Sequence, residues 1–88
     1  MPNLYEVRLS QNSEQFLYKL DKHIKGRILN RLRRLSENPI PTDSKFLGRE
    51  EGEKLFRYRI GNYRALYKIK ENLRIILITK IDKRPRVY

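Results

Sequence analysis

Cysteine is absent from the 88-residue chain, histidine occurs once, and only 10 side chains are acidic. The first absence removes disulfides, thiolate metal sites and cysteine nucleophiles together, and it suits a reducing compartment. The lone histidine, His23, has no second imidazole to share acid–base work with. It falls at an expected helix break and reads as a solvated side chain. Glu50, Glu51 and Glu53 cluster in GREEGEK but lack the ordered spacing of a calcium loop, so neither a metal nor another cofactor is expected. Long apolar runs are missing too. The longest, Ile75 to Ile78, is far too short to span a bilayer, and Glu6 and Arg8 interrupt the opening stretch MPNLYEVRLS where a signal peptide requires apolar residues. These absences predict a cytoplasmic protein that neither spans nor anchors in a membrane.

What the chain has in excess is positive charge: 21 Lys plus Arg, for a formal net charge of +11. Such a surplus attracts polyanions through counterion release without specifying sequence or chemistry. Residues 45–88 hold 13 of the basic side chains and 5 of the acidic ones (+8), against 8 and 5 (+3) in residues 1–44. The anion site is therefore expected in the second half. A hydrophobic content of 39% over 88 residues supports one domain, residues 1–88, with one modest core.

Residues 4–9, LYEVRL, alternate in the manner of a strand with one face turned inward. Asn12 or Ser13 can cap a helix carrying Phe16, Leu17 and Leu20; after a break near Asp21 to His23 the stripe resumes as Ile24, Ile28, Leu32 and Leu35. Asn38, Pro39 and Pro41 end this second helix, and a loop is expected through Gly48 and Gly52. From Leu55 the period becomes two: LFRYRI, Gly61-Asn62, YRALYKIK, Glu71-Asn72, LRIILITKI. The expected class is α+β, in the order βααβββ, with an antiparallel-dominated sheet covered on one face by a helical hairpin.

A two-residue Gly61-Asn62 turn sets Arg59 opposite Arg64 and Arg57 opposite Leu66, so three arginines share one face while Phe56, Tyr58, Ile60, Tyr63, Ala65 and Tyr67 share the other. Like charges directly opposite in a sheet destabilise it, and a bound anion relieves the repulsion; a plainly solvated face is the alternative. A two-residue Glu71-Asn72 turn would set Thr79 opposite Arg64. The strand then continues to Lys83, Arg84, Arg86 and Tyr88, which can close over the arginine face or fray as a terminus. An aromatic ring beside guanidinium groups is the combination that stacks a base and holds its phosphates. On the second helix, Arg27, Arg31 and Arg34 recur at helical spacing, either as a track for a phosphate backbone or an acidic partner or as an ordinary solvated face.

KFLG at 45–48, LFRYRIGNYRALYKI at 55–69 and ITKIDKRPRVY at 78–88 together resemble the RelE branch of the RelE/ParE toxin superfamily, and the preceding strand and helical hairpin match in order and length. The resemblance implies the toxin of a type II toxin–antitoxin pair, a ribosome-dependent endoribonuclease that cuts mRNA in the A site. Products would carry 2′,3′-cyclic or 3′-phosphate and 5′-hydroxyl ends. It also implies a small acidic RelB-like antitoxin as partner, with operator DNA bound only through the antitoxin complex. By the same resemblance Arg57, Arg59, Arg64, Arg84 and Tyr88 form the catalytic set; apart from the resemblance, Lys45, Arg27, Arg31, Arg34, Lys83 and Arg86 are expected to serve RNA or ribosome binding. Some members carry lysine where this chain has Arg57 and Arg59; a guanidinium cannot give up its proton, so Arg59 is cast as a phosphate clamp, and Lys45, Tyr88 or ribosomal RNA remain to take the 2′-hydroxyl proton. Two other readings stay open: a ParE-like poison of DNA gyrase, and a non-catalytic RNA- or DNA-binding module.

Overall fold

A computed structural model describes residues 4–83 of the chain. Its elements run β1 (Glu6–Leu9), α1 (Gln11–Tyr18), α2 (Lys22–Arg33) with a 3₁₀ turn at Arg34–Ser36, β2 (Ser44–Glu50), β3 (Glu53–Ile60), β4 (Tyr63–Lys70), a 3₁₀ turn at Glu71–Leu73, and β5 (Ile75–Lys83). The five strands form one sheet in the order β1-β5-β4-β3-β2, antiparallel throughout except for the parallel β1–β5 pair. The two helices pack on one face of this mixed sheet, giving the α+β arrangement expected from the sequence.

Apolar periodicity drives the packing. Leu17, Ile28, Leu32 and Leu35 from the helices meet Phe56, Tyr58, Ile60, Ala65, Tyr67, Ile69, Ile76, Ile78 and Ile81 from the sheet in one buried core. The cap of α1 is Ser10, whose side chain accepts from the Ser13 amide, and not Asn12 or Ser13; Ser13 is itself buried. Asp21 caps α2 by accepting from the His23 amide, and His23 stays exposed.

The segment expected to be a loop contains β2. Its pattern is hidden in the sequence because the strand lies at an edge, is half polar, and carries a bulge at Leu47 where the pairing steps from Phe46↔Phe56 to Gly48↔Leu55. Gly48 takes φ +132° there, a conformation that glycine adopts without strain. Phe46 packs in a tilted arrangement against Phe56 (5.5 Å between centroids), and Phe56 stacks on Tyr67 (5.4 Å), which fastens the edge strand to the sheet.

Candidate functional site

The hairpin between β3 and β4 positions the site. Gly61 takes φ +59° at the first loop position, which suits a tight two-residue turn, and the register that follows is Arg59↔Arg64 and Arg57↔Leu66. Phe56, Tyr58, Ile60, Ala65 and Tyr67 are buried under the helices, so Arg57, Arg59 and Arg64 stand together on the opposite, uncovered face.

The outer strands extend this face. Lys45 pairs with Arg57, Leu66 pairs with Lys80, and Arg64 pairs with Asp82. Two neighbouring rows result, Lys45–Arg57–Leu66–Lys80 and Arg59–Arg64–Asp82, spanning a patch of about 7 by 14 Å at ordinary strand spacings. Among the described residues, no carboxylate forms an ion pair with Lys45, Arg57 or Arg59. Asp43 lies close by, since its carbonyl accepts the Arg59 amide at 3.3 Å, yet its carboxylate is held by Arg31 at 2.8 Å. Asp82 is drawn to Lys80 at 3.5 Å.

Two sequence expectations change here. Thr79 does not face Arg64: the β4–β5 connection runs through the 3₁₀ turn with Arg74 in the left-handed region (φ +57°), and one extra residue sits in β5 where the pairing steps from Tyr67↔Ile78 to Leu66↔Lys80. Lys83 pairs with Tyr63, whose ring meets Phe16 of α1 at 6.2 Å, so its register places it on the helix-covered side and away from the arginines. Lys80, and not Leu77 as a two-residue turn would require, stands opposite Leu66 on the open face. The burial of Ile76, Ile78 and Ile81, spaced two and then three, is the signal that marks it.

The basic stripe of α2 also divides. Arg27 and Arg34 are exposed, but Arg31 is turned into the fold. Its Nε donates to the Tyr58 hydroxyl (3.3 Å), its Nη2 donates to Asp43 (2.8 Å) and to the Arg59 carbonyl (3.3 Å), and its guanidinium lies 5.2 Å from the Tyr58 ring centroid. The Tyr58 hydrogen bond, and after it the Tyr58 and Asp43 charges, push the Arg31 pKa above its ordinary value against the effect of burial. Arg31 thus clamps α2 to β3 and to the segment before β2, and the stripe is not one continuous track for RNA. Arg84, Arg86 and Tyr88 lie outside the described residues.

Among the described residues, no group of three or more His, Asp or Glu side chains is arranged to hold a metal ion, and no helix is long and apolar enough to cross a membrane. A surface hollow of about 350 Å³ lies at the far end of the sheet, lined by Arg49, Glu53, Lys54, Lys70, Glu71 and Asn72 among others. Its cations are engaged within the chain, Lys70 with Glu53 at 2.9 Å and Lys54 with Glu71 at 3.9 Å.

A family model described as the ParE toxin of the type II toxin–antitoxin system parDE matches residues 7–88. The chain belongs to this toxin family. Among solved structures, this RelE/ParE-superfamily toxin is similar to a chain of the archaeal RelE–RelB complex from Pyrococcus horikoshii OT3, at 28% identity and TM-score 0.84, over 96% of this chain and 99% of that one. The toxin–antitoxin complex RelBE2 from Mycobacterium tuberculosis contains a similar chain, with 30% identity and TM-score 0.77 over 92% of each. The isolated RelE toxin of E. coli shares the fold, with TM-score 0.72 at 17% identity, over 94% of this chain and 87% of that one. No curated protein matches the toxin in sequence.

Proposed function

We propose that this toxin is a ribosome-dependent endoribonuclease that cuts mRNA in the A site without a metal ion, and that a small acidic RelB-like antitoxin holds it inactive in the cytoplasm. One observation carries the reading: Arg57 and Arg59 stand on the open sheet face with no carboxylate partner among the described residues, beside Arg64 and flanked by Lys45 and Lys80. Such a face fits a phosphodiester. In the reaction, the 2′-hydroxyl gives up its proton as its oxygen attacks the adjacent phosphorus, the bond from phosphorus to the 5′-oxygen breaks, that oxygen takes a proton from water, and a 2′,3′-cyclic phosphate and a 5′-hydroxyl are left. Holding the 2′-oxygen in line with the leaving group supplies much of the acceleration, because both reactants already belong to one molecule. The guanidinium groups of Arg57, Arg59 and Arg64 stabilise the charge that grows on the phosphorane oxygens, a contribution of about 100- to 1,000-fold per well-placed donor. Arginine stays protonated, so the 2′-hydroxyl proton goes to a group of another kind; Lys45 or Lys80 in the neutral form, the tail residue Tyr88 and ribosomal RNA are the candidates. Arg84, which follows Lys83 in the chain, joins the set through the family resemblance alone.

The antitoxin reading draws on the RelB partners named in the similar complexes and on the net charge of +11, which an acidic partner complements. Operator DNA would be bound only through that partner. Primer-extension mapping of cuts on programmed ribosomes, with free RNA as control, tests the proposal. Cuts that appear only with ribosomes, and disappear in Arg59→Ala and Arg64→Ala, support it; cutting retained by both variants rejects the site. The ParE name of the matching family keeps gyrase inhibition as a second reading. Loss of supercoiling by gyrase in the toxin's presence, with mRNA left intact, would establish it instead.

A further inference from the structure

Strict alternation along β5 would bury residues 76, 78 and 80, but the buried residues are Ile76, Ile78 and Ile81. The extra residue is Thr79. A bulge of this kind leaves carbonyls outside the ladder, and buried carbonyls need partners. On the β4 side, Thr79 Oγ1 donates to the Leu66 carbonyl at 3.3 Å. On the other side, β1 has ended at Leu9, and the partners come from the start of α1. The Ser10 amide donates to the Ile78 carbonyl at 2.9 Å, and Ser13 Oγ donates to the same carbonyl at 3.0 Å. Ser10 Oγ accepts from the Ser13 amide at 3.1 Å and lies 3.0 Å from both the Thr79 carbonyl and Ser13 Oγ. Since Ser13 Oγ has given its proton to Ile78, the Ser10 proton is available for Thr79. Ser13 is 0% exposed, and its hydroxyl reaches a strand 65 residues away in sequence.

We propose that Ser10 and Ser13 are positioning residues. By holding the Thr79 bulge, they fix the one-residue step of β5 that places Lys80 on the open face opposite Leu66, in the row that holds Arg57, and sets the course of β5 through Lys83. The functional consequence rests on the RNA-cutting reading; the structural half does not. Deleting Thr79 removes the bulge yet leaves Lys80 opposite Leu66 through continuous pairing, so the serines should matter only while Thr79 is present.

The test compares four proteins: wild type, Ser10→Ala/Ser13→Ala, the Thr79 deletion, and the deletion carrying both alanines. Each is followed by Leu66–Lys80 cross-strand contacts in NMR and by cleavage of mRNA on programmed ribosomes. In the full-length background the two alanines should abolish or average the Leu66–Lys80 contacts and slow cleavage by about 10- to 100-fold, the scale of a misplacement near 1 Å. In the deletion background they should change cleavage by less than about twofold and leave the contacts intact. If the double variant does not fold, Ser13→Ala alone is expected to move both readouts in the same direction. Unchanged contacts or unchanged cleavage in the full-length background overturns the proposal. Equal losses in both backgrounds overturn it as well, since the serines would then act only as a helix cap. A wild type that cuts no RNA rejects the proposed function, and the NMR contacts alone then decide the clamp.

Discussion

Near the β2–β3 hairpin, the open sheet face holds Lys68 between Glu50 (3.0 Å) and Glu51 (3.3 Å), and Lys70 against Glu53 (2.9 Å). Farther along the same two strands, Arg57 and Arg59 have no carboxylate partner among the described residues. Both regions are rows of long cations on β3 and β4, and the chain has acids to place in either. It places them at one end. There the hairpin turn through Glu51 and Gly52, with φ +56° and +82°, folds the acids over Lys68 and leaves it only 8% exposed. At the other end the nearby acid, Asp43, is diverted to Arg31. Internal pairing thus makes one region part of the scaffold, while Arg57 and Arg59, without a carboxylate partner among the described residues, stay ready to take up charge from outside. Arg59 and Arg64 stand directly opposite each other, an arrangement of like charges that ordinarily disfavours a sheet, with Asp82 across from Arg64 on the other side.

Removing a cation at the unpaired end should have the largest effect. Arg59→Ala is expected to lower ribosome-dependent mRNA cleavage by about 100- to 1,000-fold while leaving the thermal midpoint unchanged or raised, as checked by primer extension and calorimetry. Importing an acid should convert one region toward the other: Lys45→Glu places a carboxylate across from Arg57. It should weaken RNA binding and lower the slope of log affinity against log salt by about 1, measured by fluorescence titration at several salt concentrations. Arg31→Ala, which removes the clamp to Tyr58 and Asp43, should cost about 1–2 kcal/mol in denaturant unfolding, whereas Arg27→Ala should leave stability unaltered.

Tyr67→Phe comes next. Burial first of all holds the Tyr67 phenol neutral up to about 12, against an ordinary 10.0. Because the raised value belongs to the folded protein, the stability this confers is complete below about pH 10 and is lost as pH climbs toward 12. The variant should lose about 1 kcal/mol at neutral pH, through the missing 2.6 Å hydrogen bond to the Pro39 carbonyl, and should show a shallower alkaline decline in urea unfolding. The smallest change is expected from Lys68→Met. The Glu50 hydrogen bond, with Glu51 after it, raises the Lys68 pKa. Its contribution is therefore complete below the ordinary lysine value of about 10.4 and vanishes as pH rises through the folded one. The melting difference from wild type should stay constant from neutral pH to near 10 and close above it.

Much of the candidate site's geometry was legible from local chemistry. The Gly61-Asn62 turn settles the β3–β4 pairing within a few residues, so the shared face of Arg57, Arg59 and Arg64 could be read directly. Arg31 was not legible, because helical spacing reports which side of α2 it lies on and not that Tyr58 and Asp43 wait there. Edge strand β2 was hidden by its bulge and by its reliance on Phe56 for support.

Period, turn chemistry and charge asymmetry in the amino-acid order were enough to specify an α+β fold and the half of the chain that carries the cation surplus. The partner of Arg64 on β5, the arrival of Lys80 and the turning away of Lys83 were decided only in three dimensions. A two-residue turn transmits register through covalent geometry, whereas the step at Thr79 depends on carbonyl partners supplied by Ser10 and Ser13 from the other end of the chain.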